Sequence, residues 1–172
     1  MDVDAASTRS HEYRWVDPAV ALQQLPHLSG LDYLTGVLDG TIPPPPIAVL
    51  MGFTAVSVSP GEVVMSCEPG QQHFNPLGMV HGGLACTLLD TVTGCAGHTT
   101  LAAGVGYSSI DINVRYLRPV LPDNAPLMAT GTVVRPGSRV IFTEGTVVGA
   151  DGRVLATATS TLAVLGPQGI SG

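Results

Sequence analysis

The chain has 172 residues, enough for one domain with a well-developed core. Hydrophobic residues make up 45% of it, a share that argues against disorder of the whole chain. The formal net charge is −6, and all seven basic residues are arginines. This scarce, net acidic charge argues against general binding to nucleic acids or anionic membranes, and the lack of lysine excludes a lysine Schiff base.

The cysteines and histidines fit neither a disulfide framework nor a metal site. Cys67, Cys86 and Cys95 are odd in number and form no C-x-x-C pair. The histidines lack a recognisable metal spacing, so we expect no bound metal. Reduced thiols, together with an N-terminal segment that has no apolar core, predict a cytoplasmic protein.

Residues 1–46 form a predicted N-terminal extension. Residues 18–38 have helical spacing in two pieces, which Pro26 and the Ser29-Gly30 pair separate. The run from Pro43 to Pro46 is a stiff stop between the extension and the main domain.

Residues 47–166 form the predicted main domain, and residues 167–172 form a C-terminal tail. A long apolar helix is predicted over 81–102. Turn signals at Ser59-Pro60-Gly61 and at Asp151-Gly152 separate neighbouring strands. The predicted strands cover residues 47–58, 62–68, 107–118, 126–135, 138–149 and 153–165.

The order of these elements predicts an α+β fold. Two strands come first, then the long helix, then four antiparallel strands. A single apolar helix must be covered on many sides, and one curled sheet can do this. We therefore expect one antiparallel sheet wrapped around a long central helix, with a helical extension at the N-terminus.

The stretch from His73 to Asp90 carries the strongest functional signal. A polar turn leads into His81-Gly82-Gly83, and an apolar helix follows. The first N–H groups of a helix lack internal partners and favour negative charge, while glycine lets a ligand approach the backbone closely. These features suit the oxyanion of an acyl transfer. The alternative is that the glycines only allow tight packing of the helix.

Asp90 lies inside the apolar helix, next to Leu88, Leu89 and Val92. A carboxylate in this position is either capped by nearby threonine hydroxyls or acts as a general base. It follows Gly82 by eight residues, about 12 Å at ~1.5 Å per residue. Because the two groups are then too far apart to touch one reacting carbon, their joint action requires two subunits. We expect a homo-oligomer, a dimer at least, with interfacial sites.

Two further segments are candidates for the site. His81 is a ligand, a helix cap or a general acid, and Asn75 opens the turn signal Asn75-Pro76-x-Gly78. The segment from Arg135 to Arg139 places two guanidinium groups around a glycine turn, where they could hold phosphate. The alternative is an ordinary hairpin with exposed arginines.

Several of these motifs together resemble a known family. The segment Asn75-Pro76-Leu77-Gly78-Met79-Val80-His81-Gly82-Gly83, with an acid at Asp90, is similar to the hotdog-fold acyl-CoA thioesterases of the phenylacetate-degradation (PaaI-like) type. The segment from Ser108 to Pro119 is similar to the strand that follows the helix in this family. The resemblance covers residues 47–165 and leaves the extension outside.

The resemblance implies a hydrolase of acyl- or aryl-CoA thioesters that needs no cofactor, since CoA is part of its substrate. Asp90 is then the general base or nucleophile. The Gly82 amide is the oxyanion donor, with Gly83 beside it. His81 and Asn75 position the thioester and the hydrolytic water.

The family register implies that Ser109 orients the water near the acid. The apolar alternation of residues 110–116 predicts instead that Ser108 points inward. We prefer Ser109 because of the family register and keep Ser108 as an alternative. The loop implied to meet the CoA phosphates contains Arg135, Gly137, Ser138 and Arg139.

Two other functions are open on the sequence alone. One is a hydratase or dehydratase of acyl thioesters on the same fold, which requires a histidine–acid pair at the β-carbon. The other is a non-catalytic acyl-CoA-binding protein. The position of Asp90 in the middle of the helix after His-Gly-Gly favours hydrolysis. The sequence does not decide between a dimer and a tetramer.

Overall fold

The computed structural model describes residues 8–166 of the chain. The predicted C-terminal tail, 167–172, lies outside the described residues, as do the first seven residues of the extension. In the described part, none of the helices has the length and apolar character that crossing a membrane requires.

Three short helices precede the sheet: α1 is Pro18–Leu22, α2 is Gly30–Asp39 and α3 is Pro46–Met51. The side chain of Asp17 accepts a backbone hydrogen bond at the start of α1, and that of Ser29 does so at the start of α2. The two helical pieces predicted for residues 18–38 are therefore confirmed, and the predicted break falls between them.

The strand predicted from residue 47 is wrong in its first part, because residues 46–51 form α3. Pro46 occupies the first turn, where its fixed φ favours a helix and its missing N–H costs nothing. Gly52 ends the helix in the left-handed region, with a φ of 71°. The apolar residues between Pro46 and Gly52 alternate as they would in a strand. The helix forms because the segment begins with a helix-starting proline and ends with a helix-ending glycine.

Six strands form one antiparallel sheet. Gly61 and Gly152, both with positive φ, lie in the two predicted turns. The strands are β1 Phe53–Ser59, β2 Glu62–Cys67, β3 Gly106–Tyr116, β4 Leu127–Arg135, β5 Val140–Val148 and β6 Val154–Leu165. Their order across the sheet is β1-β2-β4-β5-β6-β3, so β1 and β3 are the edge strands.

The long helix α4, Gly82–His98, packs on the concave face of this sheet. It ends four residues before the predicted boundary. Gly131 of β4 and Gly145 of β5 are paired across the two strands under the helix. A Cβ at Gly131 would overlap the Val92 carbonyl oxygen, so the helix backbone approaches the sheet closely there. The predicted fold, one antiparallel sheet around a central helix, is confirmed.

The N-terminal extension packs on this domain. Leu34 of α2 and Ala48 of α3 belong to the same apolar core as Leu88 and Leu89 of α4. The start of α2 lies against the C-terminal end of α4, where a Cβ at Gly30 would overlap the backbone of α4. The extension therefore shares the core of the main domain, and the boundary at residue 46 stays a prediction.

Candidate active site

Asp90 lies half-buried in the middle of α4. Its Oδ1 accepts a hydrogen bond of 2.8 Å from the Ser109 hydroxyl. The hydroxyls of Thr87, Thr91 and Thr93 donate to carbonyl groups of their own helix and leave the carboxylate uncapped. Among residues 8–166, Asp90 forms no salt bridge. One oxygen of Asp90 is thus fixed by a neighbour, and Oδ2 is available to a reactant.

A β-bulge in β3 decides which serine reaches this carboxylate. Ser109 pairs with Leu162 and Asp111 pairs with Thr161, so Ile110 is an extra residue between them. The bulge changes the phase of the alternation along the strand. Tyr107 and Ser109 therefore face α4 together with Ile112 and Val114, while Ser108 is exposed.

The N-terminus of α4 presents one free amide. His81 is the residue that caps the helix, because its Nδ1 accepts the Gly83 N–H at 2.8 Å. The Gly82 N–H forms no hydrogen bond to any residue in 8–166. The Tyr116 hydroxyl donates to the Gly82 carbonyl at 3.0 Å and lies over the glycine. The predicted oxyanion donor, the Gly82 amide, is therefore free among the described residues, whereas the Gly83 amide beside it is bonded to His81.

Asn75 lies beside Gly82, around a cavity of about 250 Å³ that Tyr116 also lines. The Asn75 Oδ1 accepts the Leu77 N–H at 2.9 Å and the Met79 N–H at 3.2 Å. These bonds hold the loop that precedes α4. Within the chain, Asn75 therefore acts as a turn residue through its side-chain oxygen. Its side-chain nitrogen is available to a ligand.

The structure does not bring Asp90 and Gly82 together within one chain. The two residues are eight positions apart on one continuous helix, about 12 Å at ~1.5 Å per residue. Each has its own neighbour on β3, Ser109 for Asp90 and Tyr116 for Gly82. One chain therefore carries two half-sites, the acid half-site at Asp90 and the amide half-site at Gly82.

The arginine loop, residues 135–139, lies at the other end of α4. The strand β4, which ends at this loop, is hydrogen-bonded to the turn at Gly61. The Gly61 N–H in turn donates to the Thr99 hydroxyl at the C-terminus of α4, so the loop lies near that end of the helix. A Cβ at Gly137 would overlap the Val140 carbonyl oxygen, so the turn requires glycine. The four predicted phosphate-binding residues are exposed and distant from Gly82 in the same chain: Arg135, Gly137, Ser138 and Arg139.

A buried polar cluster that the sequence did not predict lies next to Asp90. The Tyr107 side chain lies beside Cys95, and burial raises the pKa of the Cys95 thiol to about 12. Burial also raises the pKa of Tyr107 and lowers that of His98, whose ring lies between Tyr33 and Tyr107. All these groups are uncharged at neutral pH. In the sequence these residues lie among apolar neighbours, as ordinary core residues do, so the sequence did not indicate that they form a polar cluster.

In residues 8–166, no group of three or more His, Cys, Asp or Glu side chains is arranged to hold a metal ion.

Comparison with known proteins agrees with the geometry. The model of the thioesterase superfamily matches residues 77–156. Acyl-coenzyme A thioesterase 13 of Homo sapiens is 32% identical over 96 residues, which cover 56% of this chain and 67% of that protein. A phenylacetic acid degradation-related protein from Ralstonia eutropha JMP134 has a TM-score of 0.69 at 30% identity, covering 76% of this chain and 98% of its own. A Streptococcus mutans UA159 protein bound to acetyl-CoA has a TM-score of 0.60 at 29% identity, with coverages of 66% and 89%.

A sheet wrapped around one central helix, with a carboxylate in that helix, defines the class of hotdog-fold thioester hydrolases. The chain belongs to the thioesterase superfamily and is an acyl-CoA thioesterase of the PaaI-like type. The predicted resemblance is confirmed. The matched segment, 77–156, contains the whole of α4 and leaves α1 and α2 outside.

Proposed function

We propose that this thioesterase hydrolyses acyl- or aryl-CoA with Asp90 as general base or nucleophile and the Gly82 amide as oxyanion donor. In the general-base route, Asp90 takes a proton from water as the water oxygen bonds to the thioester carbon. The carbon–sulfur bond then breaks, and the CoA thiolate leaves and is protonated. The products are a carboxylic acid and free CoA. In the nucleophilic route an oxygen of Asp90 bonds to the carbon as the carbon–sulfur bond breaks and the CoA thiolate leaves, and water then hydrolyses the resulting mixed anhydride to the carboxylic acid and free Asp90.

The observation that carries the proposal is the hydrogen bond from Ser109 to Asp90. This bond fixes the carboxylate and leaves its second oxygen for a water or a thioester carbon. The Ser109 oxygen retains lone pairs that can accept from the same water. Such positioning of base and water is what general-base catalysis requires.

The free Gly82 N–H supports the second part of the proposal. An amide at the first turn of a helix stabilises an anionic oxygen through its dipole and through one direct hydrogen bond. Asn75 lines the same cavity and can position the thioester with its amide nitrogen. His81 acts on the site indirectly, because it occupies the Gly83 amide and so orients the start of α4.

The separation of the half-sites supports a dimer in which Asp90 of one chain faces Gly82 of the partner. The edge strand β3 is the surface we assign to this contact. It is eleven residues long, and its outer edge is unpaired in residues 8–166. Ile110, Tyr116 and Leu117 are exposed along it. A long edge with apolar side chains favours pairing with a second copy.

The arginine loop is the segment we assign to the phosphates of CoA. Both guanidinium groups are exposed and form no salt bridge within residues 8–166, so they are available to an anion. The related Streptococcus mutans protein was solved with acetyl-CoA, which supports a CoA ester as the substrate of this chain.

The test of the proposed mechanism is Asp90→Asn, assayed by release of free thiol from acyl-CoA. We expect kcat to fall by at least ~10²-fold, because an amide can neither accept the proton nor attack the carbon. Asp111→Asn is the matched control, since Asp111 is exposed on β3. Unchanged kcat in Asp90→Asn, with folding verified by circular dichroism, would refute the assigned role.

The same assay separates the rival functions. A hydratase changes the absorbance of a 2-enoyl-CoA without releasing thiol, and a non-catalytic binding protein does neither. The hydratase reaction requires a histidine that is free to act at the β-carbon, whereas the His81 Nδ1 is engaged as the cap of α4.

A further inference from the structure

A cavity of about 480 Å³ lies between the N-terminal extension and the C-terminal half of α4. Its volume is in the range of small-molecule sites, about 300–1,000 Å³. The extension forms one wall, with Ala21 and Leu22 of α1 and Leu34 and Val37 of α2. The facing wall includes Phe53, Met65, Thr91, Cys95, His98 and Tyr107.

The walls are mostly apolar, and two of their polar side chains are engaged within the protein. The Asp17 carboxylate accepts a backbone N–H at the start of α1, and the Thr91 hydroxyl donates to a carbonyl of its own helix. A charged or strongly polar guest finds few partners here, whereas a hydrocarbon gains the free energy of burial.

The cavity begins beside the acid half-site. Thr91 in its wall directly follows Asp90 on α4. Tyr107 in its wall lies two residues before Ser109, and both face α4. Burial raises the pKa values of Cys95 and Tyr107 of the wall, and the charge of Asp90 is close enough to raise them further, so the wall of the cavity reaches the neighbourhood of the carboxylate.

We propose that this cavity holds the apolar acyl tail of the substrate, so that the extension selects medium-length aliphatic acyl groups. The inference rests on the proposed function, because it takes Asp90 as the residue at the thioester carbon. The tail enters between Thr91 and Tyr107 and ends against α1 and α2.

The first experiment is a chain-length series on the full-length protein, with acetyl-, butyryl-, hexanoyl- and octanoyl-CoA. Each methylene that enters an apolar cavity is expected to raise kcat/KM roughly fourfold until the space is filled. A value of kcat/KM that is flat or falls from acetyl- to octanoyl-CoA overturns the assignment of the cavity.

The second experiment fills the cavity from the extension, far from Asp90. Ala21→Phe places a ring in the wall, while Val20→Phe is the matched control, since Val20 is exposed and outside the wall. We expect Ala21→Phe to reduce the ratio of kcat/KM for octanoyl- over acetyl-CoA at least tenfold relative to the wild type, and Val20→Phe to leave this ratio near the wild-type value. Val37→Phe repeats the test from α2 if Ala21→Phe does not fold.

Binding provides a readout without turnover, by titration calorimetry with the thioethers S-octyl-CoA and S-ethyl-CoA. Tighter binding of the octyl compound, lost in Ala21→Phe and kept in Val20→Phe, supports the cavity even if no ester is hydrolysed. Such binding without ester hydrolysis would refute the proposed function and leave the assignment of the cavity standing. Equal binding of both compounds, with acetyl-CoA hydrolysis intact, removes the cavity assignment and leaves the proposed function standing.

Discussion

The contact between Ser109 and Asp90 depends on one extra residue in β3. Without the bulge at Ile110, regular alternation from Ile112 and Val114 would place Ser108 toward the helix. With it, Ser109 is the serine that donates to the carboxylate. The position of a single hydroxyl in the candidate site is thus set by backbone register.

We predict that Ser109→Ala lowers kcat by roughly 10- to 100-fold, because the carboxylate loses the bond that holds its orientation. Steady-state thiol release checks this. Ser108→Ala is the matched control and should leave kcat near the wild-type value, since the neighbouring Ser109 and not Ser108 donates to Asp90. Equal losses in both variants would contradict the assignment of Ser109.

We predict that the buried His98 makes stability depend on pH. Burial lowers the pKa of His98 from its ordinary value of 6.5, so the folded state keeps the ring neutral. The unfolded chain binds a proton below about pH 6.5, which stabilises it relative to the folded state. Stability should be full above this pH and decrease as the pH falls toward the lowered pKa of the folded state.

Melting temperatures between pH 7.5 and pH 5.5 check this prediction. The comparison is with His98→Phe, which keeps an aromatic ring between Tyr33 and Tyr107. The variant should lose less stability than the wild type on acidification. An identical pH profile in the two proteins would show that His98 contributes nothing to it.

For the candidate site, the sequence indicated which residues to consider but not the backbone geometry that positions them. The apolar pattern of β3 favours Ser108, because a bulge leaves no mark in an alternation of residue types. The cap formed by His81 was one of three sequence-based alternatives, and its bond to Gly83 supports the cap. The catalytic roles of Asp90 and Gly82 stay predictions.

The packing of α4 on the sheet depends on two paired glycines. A side chain at Gly131 meets the backbone of α4, whereas one at Gly145 meets the ends of Thr93 and Leu89, at 2.9 and 3.1 Å. Backbone atoms cannot yield without moving the helix, but flexible side-chain ends can. The two positions are equivalent in the ladder and differ in what lies above them.

We predict that Gly131→Ala lowers the free energy of unfolding by about 1–3 kcal/mol, as expected for overpacking in a core. Gly145→Ala is the matched control and should cost less, because its neighbours can adopt other rotamers. Urea unfolding followed by circular dichroism measures both. A larger loss at Gly145 than at Gly131 would contradict this explanation.

The order and type of the elements of the main domain follow from the sequence, with one exception. Turn signals at Gly61 and Gly152 and the long apolar run of α4 predict the observed layout. The exception is α3, where alternating apolar residues indicated a strand and Pro46 and Gly52 dictated a helix. The secondary structure of such a short segment depends more on the residues that begin and end it than on its alternation of apolar residues.

At the scale of the whole molecule, the proposed mechanism requires two half-sites that lie in different chains. This predicts complementation between two inactive variants, Asp90→Asn and Gly82→Pro. Proline removes the amide at the first helical position, where it is tolerated, and Gly82→Ala is the matched control that keeps the N–H. The extended backbone of His81, with a ψ of 134°, accommodates a following proline.

Random mixing of the two variant chains should restore about a quarter of the wild-type activity, because half of the dimers then contain one complete site. The measurement is thiol release after the variants are unfolded and refolded together. Each variant refolded alone provides the baseline. No recovery on mixing, with dimers detected by sedimentation, would refute a site shared between Asp90 of one chain and Gly82 of its partner.

The strand β3 contacts both half-sites and also forms one edge of the sheet. It carries the neighbours of both half-sites, Ser109 and Tyr116, and it is also the outermost strand on its side of the sheet. Seven residues of one backbone therefore set the spacing of the two half-sites. Under the proposed dimer, a partner bound along this border of the sheet contacts the neighbours of both half-sites at once, so we expect assembly and activity to be lost together.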